Sequence, residues 1–284
     1  MNKKYFIVEN TAWFCISLYY SRKEWGKLMQ EIRSFCKSKE SLFSHKIIYL
    51  SEYYGENIQL VFSLPANNND LELIQEETDS HFRSYILNNP SGETKPCHYG
   101  KTIWCNYTNN SIEWNIFEFS HMTKSRYLNF LHATSSLMID LFEDDYSINN
   151  TISIVIFLSV KMLKIYSVIS DNQSVGNIIN KVANNLLYKS RDNDYNLKEE
   201  LELRGVSFEE MMGLIEQYWN YEVEDNPLFN QWEDEIRKIT TLYPDYFSTL
   251  FHFIRMHLDI NDYMALLIVY SLKNWRQTKH NQES

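Results

Sequence analysis

The stretch Tyr53-Tyr54-Gly55-Glu56-Asn57-Ile58-Gln59-Leu60-Val61-Phe62-Ser63-Leu64-Pro65 decides how the first third of the chain folds. Gly55-Glu56-Asn57 has the chemistry of a turn. Beyond it Ile58, Leu60, Phe62 and Leu64 recur at the two-residue period of a strand. The opposite face carries Gln59, Val61 and Ser63, and no charge lies between Glu56 and Asp70. A strand this regular offers an amide and a hydroxyl on its second face, with no arginine or lysine.

Working outward, residues 44–54 (SHKIIYLSEYY) read as the partner strand around Gly55, and residues 11–20 (TAWFCISLYY) as another, rich in aromatics. Between them, residues 21–39 have helical spacing at Trp25, Leu28, Met29, Ile32 and Phe35. Ser21 and Glu24 are placed as a capping box at its start. Residues 69–89 predict a second capped helix burying Leu71, Ile74, Phe82, Tyr85 and Ile86. After the loop signals of residues 89–96, residues 101–107 and 112–119 read as a hairpin. From Met122 the pattern turns helical to the end. The expected fold is α+β: a mixed β-sheet layer with helices over residues 1–120, then an α-helical bundle over 121–284, packed as one body.

Composition narrows the function. The residues AVILMFWYC make up 44%, with 20 Tyr, 16 Phe and 7 Trp, so the chain has the material for a large core. A net charge of −10 argues against a nucleic-acid binder, which needs clustered cations. The longest apolar run, residues 152–160, stops at Lys161 and is read as too short to span a bilayer. No membrane partner and a cytoplasmic location are therefore expected. Cys15, Cys36, Cys97 and Cys105 lack CxxC spacing, which points to reduced thiols. There is no GxGxxG, P-loop or GxSxG motif. Glu118-x-x-His121 lacks the second copy that a di-iron bundle requires. No metal or other cofactor is expected.

Two histidines remain. His252 and His257 fall about 140° apart on a helix, so they cannot share a ligand face. Phe251, Ile254 and Leu258 define its apolar side, with His252 next to it. A hydrogen-bonded core histidine and an acid–base residue are both compatible with that position. The tyrosines, Tyr53 and Tyr54 included, fit packing with a wet hydroxyl, or the lining of a groove for an extended peptide.

The order of these elements resembles one family, the thiopeptide-type bacteriocin biosynthesis domain that also forms the C-terminal domain of lantibiotic dehydratases. The likeness runs from about Trp13 to Lys273, through WFCISLYYS, KIIYLSEYYGENIQLVFSL, WNIFEFS, FLHATSSLMIDLFED and STLFHFIRMHLDIN. Glutamate-eliminating members carry arginines in the second strand, where this sequence has Gln59 and Val61. Their late histidine segment is similar to Thr249–His257, keeping His252 but replacing an Asn-Arg pair with Met256-His257. The missing cations point away from binding a departing carboxylate. An arginine-poor, stand-alone chain looks like the pyridine synthase branch, which joins two dehydroalanines of a modified precursor peptide by a formal aza-[4+2] cycloaddition. Water and the leader peptide are then lost.

That resemblance implies Gln59 and Ser63 as groups orienting the reacting amide and His252 as the acid–base residue. The partner would be a dehydrated, azole-containing precursor peptide, its leader met by Arg22, Lys23, Lys46, Tyr53 and Tyr54. Other enzymes of the same pathway are possible further partners. The alternatives are a glutamate-elimination subunit, with Arg83, Arg126 or Arg255 replacing the lost cations, and a non-catalytic leader binder.

Overall fold

The computed structural model describes residues 4–52, 54–93, 107–114, 126–142, 148–169, 172–189, 208–242 and 247–283. The chain divides into two compact units, Met1–Ser147 and Ile148–Ser284. The break falls well beyond residue 120, because the helix Leu128–Leu141 packs on the sheet of the first unit.

The first unit is built on five strands: β1 (Tyr5–Val8), β2 (Thr11–Tyr19), β3 (His45–Ser51), β4 (Asn57–Pro65) and β5 (Ser111–Glu113). Their order is β1-β2-β4-β3, with β5 also on β2. Every described pairing is antiparallel, not mixed as the sequence pattern predicts. The reason is connectivity. Two tight turns make β1–β2 and β3–β4 hairpins, with positive φ at Glu9, Tyr54 and Gly55. Helix α1 (Trp25–Ser38) then carries the chain past β2, so that β4 docks between β2 and β3.

One sheet face is apolar but for Lys46 on β3. Phe14 and Phe62 stack at 4.9 Å, Phe43 lies 4.6 Å from Phe62, and Phe35 of α1 reaches Phe82 of α2 (Leu71–Asn88) at 5.0 Å. Trp25, Leu28, Met29 and Ile32 of α1, with Leu71, Ile74 and Ile86 of α2, complete that core. Tyr85 is only half-buried.

The expected capping box does not form. Ser21 makes no side-chain cap and a 3-10 turn, Arg22–Glu24, precedes α1. The Glu24 carboxylate instead accepts from the Gly92 backbone N–H at 3.0 Å and from Lys27 at 3.2 Å. These bonds hold the carboxyl below its ordinary value, the Gly92 bond most strongly.

Helix α3 (Leu128–Leu141) covers the outer edge of β3. The Lys46 N–H donates to His132 Nδ1 at 3.0 Å, and the Ile48 N–H donates to Ser135 Oγ at 2.9 Å. An edge strand with unpaired N–H groups is a template for unwanted pairing, and two α3 side chains remove it.

The second unit holds α4 (Ile148–Ile169), α5 (Asn172–Lys189), α6 (Phe208–Asn220), α7 (Pro227–Leu242), α8 (Phe247–His257) and α9 (Asp262–Glu283). Helix α4 packs on α6 and α7, and α9 on α5 and α6. The apolar run at 152–160 continues past Lys161: residues Asn150–Ile169 are long and apolar enough to cross a membrane by length and composition, and 61% of the most apolar window is buried inside the protein. Lys161 interrupts it with a task. Its Nζ donates to Tyr221 O, and Lys164 Nζ donates to Trp219 O at 3.1 Å, so both lysines satisfy carbonyls at the C-terminal end of α6. The stretch fits a core helix.

Helix α8 ends in a Schellman motif: Asp259 has φ 51°, the Ile260 N–H returns to Arg255 O at 2.9 Å, and the Asp259 N–H reaches Met256 O at 3.4 Å.

Candidate functional site

The strand register sets the second sheet face out in rows. Ser17, Gln59 and Tyr49 form one; Cys15, Val61 and Ile47 the next; Trp13, Ser63 and His45 the third. A polar row, an apolar row and a second polar row thus run across three strands. Gln59 and Ser63 do share the face, but four residues of strand separate them by about 13 Å. They cannot both grip one amide.

Their surroundings differ. Gln59 keeps 5% of its surface exposed, with Tyr49 opposite it. Ser63 is 0% exposed, and its Oγ lies 3.1 Å from His45 Nδ1. The His45 ring is half-buried, stacked at 6.0 Å on Trp13 and met edge-on at 6.0 Å by His132. Burial holds its imidazole below the ordinary histidine value, opposed in part by a hydrogen bond with Asn129. His132 goes lower, to about 4, through burial first and then the nearby Lys46 and His45 charges. Tyr49 is pushed up by burial, so it stays neutral.

His45, Asn129 and His132 escape a reading of β4 alone. A signal for His45 was available, since β3 and β4 residues pair at equal distances from Tyr54, which sets His45 opposite Ser63. Asn129 and His132 come from a helix more than 60 residues further on and leave no local trace.

In the second unit, α8 turns His257 inward. That ring is 0% exposed and its Nδ1 lies 2.8 Å from Phe253 O. His252, expected beside the apolar side, is only half-buried. Arg255 Nε donates to His252 Nδ1 at 3.1 Å, and the same guanidinium pairs with Asp262 of α9. A ring accepting at Nδ1 carries its proton on Nε2.

The fold of this chain matches a solved enzyme. Pyridine synthase TbtD, from thiomuracin biosynthesis, superposes with a TM-score of 0.65 over 93% of this chain and 97% of that one. The two are 12% identical, so the likeness to TbtD shows the fold. No family model matches the chain, and no curated protein does.

The cations expected at the leader are unevenly placed. Arg22 is engaged: its guanidinium pairs with Glu52 and lies 5.4 Å from the Trp25 ring, while its N–H donates to Glu56 at 2.7 Å. Lys23 is exposed, and Lys46 is half-buried on β3 beside α3. Tyr54 meets Tyr107 edge-on at 6.0 Å. Tyr53, Glu118, His121, Cys97 and Cys105 lie outside the described residues, as does most of the expected hairpin at 101–119; its described piece, β5, pairs with β2. Cys15 and Cys36 are buried free thiols, and burial pushes Cys36 up to about 12. Among the arginines, Arg83 is bound to Asp79 at 2.6 Å, Arg126 is exposed beside the Tyr127 ring at 5.5 Å, and Arg255 is committed as described.

Proposed function

We propose that this chain is a pyridine synthase of thiopeptide-type biosynthesis. It would act without a cofactor on a dehydrated, azole-bearing precursor peptide, joining two dehydroalanines by a formal aza-[4+2] cycloaddition with loss of water and leader. The observation that carries the reading is the whole-chain likeness to TbtD, joined to a sheet face that has the uncharged Gln59 and Val61 where glutamate-eliminating relatives have arginines. Arg83 and Arg255 are each committed to an aspartate, which weighs against their replacing the lost cations in glutamate elimination.

The chemistry needs positioning above all. Bringing two alkenes of a long peptide together is an entropic problem, and orientation can supply about 7–11 kcal/mol of the barrier. Gln59 offers an amide to the bent peptide backbone and favours the iminol tautomer of the reacting amide. His252, with its Nε2–H, assists the eliminations that follow. Exposed Lys23, with Lys46 and Arg22, would meet an acidic leader, and Tyr53 and Tyr54 its side chains. Gln59 and Ser63 belong to the first unit and His252 to the second.

Incubation with the dehydrated, azole-bearing precursor followed by mass spectrometry tests this. A macrocycle with an intact released leader supports the proposal. Loss of glutamate from a glutamylated peptide would select elimination, and binding with no mass change a leader-holding role.

A further inference from the structure

Proton transfer on the polar sheet face needs a group that changes charge near neutral pH. Along β2, β4 and β3 the titratable side chains of that face are Cys15, Tyr19, His45 and Tyr49. Cys15 is a buried thiol and Tyr49 a buried phenol. Among these groups only the imidazole of His45 has an ordinary value near neutral pH.

Its mounting is what a proton-transfer residue requires. Ser63 of β4 holds Nδ1 at 3.1 Å, Trp13 of β2 stacks on one ring face, and Asn129 and His132 of α3 approach from the sheet edge. Three elements therefore fix one ring, and the ring remains partly open to solvent. Ser63 has no exposed surface of its own. A peptide that reaches the exposed part of His45 cannot touch the hydroxyl behind it.

We propose that His45 is the proton-transfer residue of this sheet face and that Ser63 is its positioning residue. The inference rests on the pyridine synthase reading. His45 accepts the N–H proton of the reacting amide and delivers one to the carbonyl oxygen. The amide becomes its iminol tautomer, the imidazole returns to its starting state, and no co-reactant is consumed. Ser63 therefore acts through His45, and does not orient the amide itself as the sequence suggested. The titratable neighbour that meets the ring is His132 on α3; Lys46, next along β3, projects from the opposite sheet face.

The test uses the full-length protein with the dehydrated, azole-bearing precursor peptide in single turnover, and a labelled leader peptide for affinity. His45→Gln and His45→Asn keep a polar group but cannot carry the proton. Both should lower the rate about a hundredfold or more while leaving leader affinity within about twofold. Ser63→Ala should lower the rate by less than the His45 variants do and shift the pH–rate profile, which loss of packing alone would not do. If both His45 variants keep the wild-type rate and pH profile, the inference falls and the parent reading stands. If the wild-type protein makes no macrocycle, the parent reading falls and takes this inference with it.

Discussion

His132 Nδ1 accepts the backbone N–H of Lys46 at 3.0 Å, so a side chain of α3 completes the hydrogen bonding of a strand 86 residues earlier. Only a neutral imidazole can accept there. The folded state accordingly holds His132 down to about 4, against an ordinary value of 6.5. A histidine lowered on folding stabilises the fold above its unfolded value, and that contribution drains away as pH falls toward the folded value. Chemical denaturation should show stability dropping by roughly 2–3 kcal/mol between about pH 7 and pH 4 from this group. His132→Asn, which keeps an acceptor and cannot titrate, should flatten that slope; an unchanged slope would count against the assignment.

Ser135 makes the neighbouring bond, to the Ile48 N–H at 2.9 Å. Ser135→Ala leaves that buried donor without its partner. A loss of about 1–3 kcal/mol is expected in the denaturation midpoint. A loss below a few tenths would show that the edge is held by packing alone.

Gln59→Ala removes the amide of the first polar row together with buried side-chain volume, so some loss of melting temperature is expected. Under the proposed reaction, turnover of the folded protein falls roughly a hundredfold while leader affinity stays near wild type. Parallel losses of affinity and rate would assign Gln59 to binding.

The two histidines of α8 should separate stability from activity. His257 is fully buried, so His257→Ala should destabilise the second unit by about 2–4 kcal/mol. His252 is half-buried, and His252→Ala should fold normally but slow the eliminations, leaving an intermediate visible by mass spectrometry. An unstable His252→Ala with unimpaired chemistry would reverse the assignment.

Arg22 and Lys23 also differ. Lys23→Glu should weaken leader binding most at low salt, since an exposed charge is screened. Arg22→Glu would set three carboxylates together with Glu52 and Glu56, and should lower the melting temperature too. Salt-insensitive leader binding would remove the basic-patch idea.

Much of this was legible in the sequence where the signal is local. The alternation of β4, the turn at Gly55 and the apolar stripes of α1 and α2 follow from spacing alone, and all three stand in the structure. The short β1 escaped, because four residues carry too little periodicity. The capping box at Ser21 failed because Glu24 found a better donor in Gly92, 68 residues away. The antiparallel order and the His45 mounting depend on which strand docks beside which, and that is decided by burial of the whole face. His252 and His257 were misjudged for burial because the apolar stripe of α8 is wide enough to take either ring. The structure buries His257 beside Leu250 and Ile254.

The closed edge of β3 has a consequence for synthesis. His45–Ser51 leaves the ribosome well before its cover, since Lys46 and His132 are 86 residues apart. At 5–20 residues per second the strand waits roughly 4–17 s with its outer N–H groups exposed. During that interval nascent chains on neighbouring ribosomes can pair through it. Yield in a cell should therefore be most sensitive to translation speed and temperature between residues 51 and 141, long before the second unit exists.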